Sequence, residues 1–120
     1  MAAAGTLATD AQILLAIGAN ASAAQILGTN TDIWILMAEA DMEVEAEGVG
    51  LVANYGSITA SYKQFLAAVA SARAAWYGIN QDQNSWGLST TQSKLNVLDS
   101  IWQDGLKKLK DKDVIAEMGL

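Results

Sequence analysis

The sequence predicts an all-α fold, a four-helix bundle-like single domain with a short C-terminal tail. Three observations point there: no proline in 120 residues, an apolar fraction of 52% rich in alanine, and apolar side chains recurring every three and four positions. Without proline, nothing removes a backbone amide donor or forces a kink. A 3–4 recurrence is the period of a helix that buries one face. The length sets one domain, with residues 1–112 as the helical body and 113–120 as the tail.

The first helix is expected from Asp10 to Leu27. Thr9 and Gln12 have capping-box spacing, in which each side chain satisfies the other residue's backbone amide. Ile13, Ile17, Ala24 and Leu27 keep to one face, and Gly28-Thr29-Asn30 reads as a C-cap and turn. A second helix follows from Thr31 or Asp32 to Glu47. Its expected buried stripe is Ile33, Met37, Ala40 and Val44, spaced four, three and four. Glu39, Glu43 and Glu47 fall on one face, with Asp41 and Glu45 beside them and no cation on the helix. That face is either a solvated acidic surface or a dock for a basic partner. A calcium or magnesium site is the remaining and least favoured reading, because a regular helix projects these carboxylates too far apart to encircle one ion.

Gly48 to Gly56 reads as a connection, with Leu51, Val52 and Tyr55 available to hold it down. No lysine follows these glycines, so they do not form a phosphate-binding loop. The third helix is expected over Ser57 to Asn80, with a seam of Tyr62, Phe65, Val69, Ala72, Trp76 and Ile79. Alanines at 67, 68, 70, 72, 74 and 75 let neighbours approach closely, and Lys63 and Arg73 are its only cations. A polar turn at 80–85 leads to Trp86, placed to cover the bundle end or anchor an interface. Ser89 and Gln92 form a second capping-box pair opening a fourth helix, expected from Thr90 to Lys110, with Leu95, Leu98, Trp102, Leu106 and Leu109 inside. Lys107, Lys108, Lys110 and Lys112 gather at its C-terminal end, where they complement the helix dipole. Asp113 to Leu120 is too short to be stable alone. Val114, Ile115, Met118 and Leu120 either close the base of the bundle or dock on a partner.

Composition narrows function. With no histidine and no cysteine, the residues most used for acid–base, thiol and transition-metal chemistry are missing. The reading is a non-enzymatic packing protein without metal or cofactor; a carboxylate-based enzyme is the remote alternative. The net charge of −6 is uneven: residues 1–60 carry seven acids and no base, and residues 61–120 are nearly balanced. This asymmetry favours head-to-tail contact between copies or a basic partner, and disfavours nucleic-acid binding. A charged fraction of only 17% suggests apolar surface covered by other subunits. No run of about 18 apolar residues is present, so no membrane span is expected. The N-terminus lacks the basic stretch of a signal peptide, so a cytoplasmic site of synthesis is expected.

The order of features from Thr31 onward resembles small helical head–tail adaptor proteins of tailed bacteriophages, also called connector or head-completion proteins. The resemblance is carried by Ile33-Trp-Ile-Leu-Met-Ala-Glu-Ala40, then Asn54-Tyr55, Ile58 and Tyr62. Phe65-Leu-Ala-Ala-Val-Ala-Ser-Ala72 follows, then Ile79, Asp82, Trp86 before Ser89, Leu95-Asn-Val-Leu98 and Leu106-Lys-Lys-Leu-Lys-Asp111. It covers about three-quarters of the chain. It implies a ring homo-oligomer, dodecameric as in the family, bound under the portal protein of the virion neck. Such a ring links capsid to tail, touches the next neck or tail protein, and lets genome DNA pass without specific binding. It assigns Asp113 to Leu120 as the portal-docking tail. Relatives often carry a basic or aromatic segment where this chain has Gly48-Val-Gly50. Another helical self-assembling scaffold is the structural alternative.

Overall fold

A computed structural model describes residues 6–18, 28–81 and 88–119. Within them the protein is all-α: α1 (Asp10–Ile17), α2 (Gly28–Glu45), α3 (Ala60–Gln81), α4 (Leu88–Leu109) and the short α5 (Lys112–Glu117), with one 3₁₀ turn at Tyr55–Ser57. The centre is α3, against which α1, α2 and α4 all pack.

The capping box at the start of α1 forms as expected: Gln12 N donates to Thr9 Oγ1 (3.2 Å) and Thr9 N donates to Gln12 Oε1 (2.9 Å). Ile13 and Ile17 are fully buried. The helix ends at Ile17 rather than Leu27, because Gly18 adopts a positive φ of 100° and donates its amide back to Leu14 O. Ala24 and Leu27 lie outside the described residues. Gly28, Thr29 and Asn30 are not a turn but the first turn of α2. A first turn needs no intrahelical amide bonds, so weak helix formers are tolerated there.

The larger correction concerns the face of α2. Ile33, Met37 and Val44 are 55%, 42% and 76% exposed, and Ala40 is exposed with them. Trp34, Ile35, Ala38, Met42 and Ala46 are buried instead. Both sets recur at helical spacing, so periodicity alone cannot choose between them. What decides is Trp34, whose ring lies on Gly78 of α3 where a methyl group would already be too close.

α3 is buried on a wider arc than its seam suggests. Leu66, Val69, Ala70, Ala72, Ala74, Ala75 and Ile79 are buried, whereas Tyr62, Phe65 and Trp76 are only half-buried. A central helix needs small residues on several sides, because three neighbours must come close at once. α4 comes close at Gly105, where an added Cβ would overlap Val69. On α4 the expected face holds: Leu98, Trp102, Leu106 and Leu109 are buried and Leu95 is half-buried. The side chain of Ser89 lies outside the described residues, as do residues 82–87, Trp86 among them, and Leu120; Asn80 and Gln81, expected in the polar turn, are the last residues of α3.

The C-terminal segment folds back on the bundle. Asp111 caps α5 by accepting from Asp113 N (2.9 Å), and Met118 is fully buried. Thr59 N donates to Met118 O (3.1 Å), and Tyr62 OH donates to Glu117 Oε2 (2.6 Å). Val114 and Ile115 pack, half-buried, against the core, while Asp113 is exposed. Residues 113–119 thus close the base of the bundle.

Candidate functional site

The acidic residues of α2 do not form a free docking face. Glu39 is only 5% exposed; its carboxylate accepts from Thr6 N (2.7 and 3.2 Å) and Leu7 N (2.9 Å). One turn on, Glu43 accepts from Gly50 N (2.9 Å) and Leu51 N (2.8 Å). The i, i+4 pair thus pins two chain segments to one helix edge, the first running into α1 and the second leaving α2. Bonds from amides to an ionised carboxylate are among the stronger ones in a fold. Leu7 and Leu51 are thereby held fully buried.

Glu47 is exposed and sits past the helix with φ 59°. Its amide donates to Val44 O and that of Gly48 to Glu43 O, which is a Schellman termination. Glu47 therefore occupies the left-handed position that glycine usually takes, at a cost of about 1 kcal/mol.

The opposite edge of α2 is tied down by cations. Arg73 lies in a ring of aromatics, its Cζ 4.3 Å from the centroid of Trp76, 4.9 Å from Tyr77 and 5.0 Å from Trp102. Its Nε is 3.8 Å from Asp41 Oδ2, to which Tyr77 OH also donates (2.7 Å). Burial and the bond to this carboxylate push the Tyr77 hydroxyl above its ordinary pKa, and the Arg73 charge opposes them in part. Nearer the base, Lys110 Nζ pairs with Glu45 Oε2 at 3.2 Å. The Arg73 cluster joins α2, α3 and α4. Its sequence signal is the i, i+3 and i+4 spacing of Arg73 with Trp76 and Tyr77, which places a cation over both rings.

With Asp41 and Glu45 engaged on one edge and Glu39 and Glu43 on the other, the strip between them is apolar. Ile33, Leu36, Met37, Ala40 and Val44 fall within about 100° of the helical wheel. All five are exposed, Leu36 at 50%. These five side chains form a continuous outward apolar stripe, unlike apolar residues scattered singly over a surface. A second, shorter pair stands on α4, with Val97 56% and Ile101 40% exposed. Of the residues expected to make contacts, Val114, Ile115 and Met118 pack against the core, Glu39 and Glu43 hold backbone amides, and Asp113 and Glu47 are exposed.

Among the described residues no three acids converge in a way that could hold a metal ion, and no helix is long and apolar enough to cross a membrane. Comparison with protein families, curated proteins and solved structures finds no significant match for this chain.

Proposed function

We propose that this protein is a structural assembly subunit whose α2 outer stripe is covered by another protein chain. The single observation that carries this reading is the exposure of Ile33, Leu36, Met37 and Val44 along one line of a helix whose inner face is already fully used. Leaving that line in water forgoes roughly 25 cal/mol for each Å² of apolar surface that a partner would cover. The internal engagement of the flanking acids supports an apolar contact rather than a basic ligand.

The finer form of the proposal is a ring-shaped virion neck component beneath a portal, linking capsid to tail around the DNA channel. The residue order from Ile33 to Asp111 and the all-α fold support it. Light scattering and negative-stain imaging of the purified protein, alone and mixed with a portal ring, test both levels. Closed rings, free or seated on the portal, are expected. Assembly without ring symmetry and without portal attachment would leave a different helical scaffold. A strict monomer that binds no portal ring would contradict the neck reading.

A further inference from the structure

We infer that the α2 stripe of one copy packs against the Val97–Ile101 face of α4 on a second copy, a head-to-tail contact between unlike surfaces. The inference rests on the proposed assembly role and names the occupant of its contact surface.

Two features select this pairing. The first is charge. α2 carries Asp32, Glu39, Asp41, Glu43 and Glu45 and no base, whereas α4 carries Lys94, Lys107 and Lys108 against Asp99 and Asp104. Asp41 and Glu45 are paired with Arg73 and Lys110, but Glu39 and Glu43 are held by neutral backbone amides, so placing two α2 helices face to face would bring those two carboxylate edges together. Opposing α2 with α4 brings an acidic helix to one with a cationic excess, the arrangement that steers encounter and suppresses the wrong register. The second is shape. On α4, Lys94, Val97, Ile101, Asp104 and Lys108 follow one another at three, four, three and four residues. The apolar pair therefore sits in mid-line between Lys94 and Asp104, with Lys108, its Nζ 5.6 Å from the Phe65 ring centroid, one turn further on. On α2, Ile33, Met37, Ala40 and Val44 run at four, three and four, with the small Ala40 between larger neighbours. Two lines of that spacing interdigitate, and Ala40 leaves the gap that a branched side chain such as Ile101 fills.

Each subunit then offers one donor surface and one acceptor surface. Contacts of that type repeat from copy to copy and close into a ring when the rotation permits.

The chain contains no cysteine, so single cysteines report the contact without background. Met37→Cys and Ile101→Cys are made separately and oxidised alone and as an equal mixture, with the mass of the wild type followed by light scattering. The mixture is expected to give a 37–101 disulfide-linked dimer, identified by peptide mapping. Each variant alone is expected to stay uncrosslinked. A variant carrying both cysteines is expected to give a ladder of linked oligomers. Efficient 37–37 dimers from Met37→Cys alone would overturn the pairing in favour of a symmetric α2–α2 contact. Absence of the 37–101 link while the wild type assembles overturns the pairing and leaves the assembly role standing. A wild type that is monomeric at every concentration and gives no link overturns the pairing, and the assembly role then depends on the portal experiment.

Discussion

α2 and α4 flank the same central helix but divide their surfaces differently. α4 has one apolar face, which is buried from Leu98 to Leu109, and a mainly polar outside interrupted by Val97 and Ile101. α2 is apolar on two faces. Trp34, Ile35 and Met42 face the core, Ile33, Met37 and Val44 face outward, and the acids run in the seams between them. Those acids are held by backbone amides on one seam and by Arg73 and Lys110 on the other. A helix with one apolar face needs only its own domain. One with two leaves an apolar face in water, which the proposed assembly would cover, and the engagement of its charges is what leaves that outer face free of them.

The comparison is broken most directly from the α4 side. Trp102 is 4% exposed and backs the Arg73 cluster, so Trp102→Ala is expected to cost about 3–5 kcal/mol, the range for losing a buried aromatic. Urea unfolding monitored by circular dichroism measures it. On α2 two methionines one face apart give a sharper test. Met42→Ala removes a fully buried side chain and is expected to cost about 2–5 kcal/mol. Met37→Ala, on the outer stripe, is expected to stay within about 0.5 kcal/mol in dilute, monomeric protein. Equal losses at the two sites would mean that α2 has no free face.

The seam is tested next. Glu39→Gln keeps the shape of the side chain but removes the charge and turns one amide donor toward other donors. A loss of roughly 1.5–3 kcal/mol is expected, together with faster hydrogen exchange at Thr6 and Leu7. Unchanged exchange there would show that the carboxylate does not anchor the N-terminal segment. A gain is expected at Glu47→Gly, about 1 kcal/mol in the same unfolding experiment, because glycine occupies the left-handed C′ position without strain.

These contrasts also show which parts of the fold could be read from sequence. Leu95 to Leu109 announce their face because the residues between them are polar apart from Val97, Ile101 and Gly105, so one helical phase fits the pattern best. The Thr9–Gln12 cap was equally legible, since its bonds are local. On α2, Ile33–Met37–Ala40–Val44 and Trp34–Ile35–Ala38–Met42 are rival stripes of similar hydrophobicity. Only the long-range fit of Trp34 against Gly78 selects one of them. Glu39 and Glu43 read as a surface because their partners are backbone amides, which carry no sequence signature. The aromatic ring around Arg73 was half legible: Trp76 and Tyr77 follow from spacing, whereas Trp102 and Asp41 arrive from other helices.

The central claim is that the outer face of α2 serves assembly and not folding. Sedimentation velocity of Met37→Glu beside the wild type, each across a wide concentration range, with a thermal melt of both, tests it most directly. The account predicts a wild type that assembles and a variant that remains monomeric with an unchanged melting midpoint. A variant that assembles like the wild type, or one that loses its fold, would contradict it.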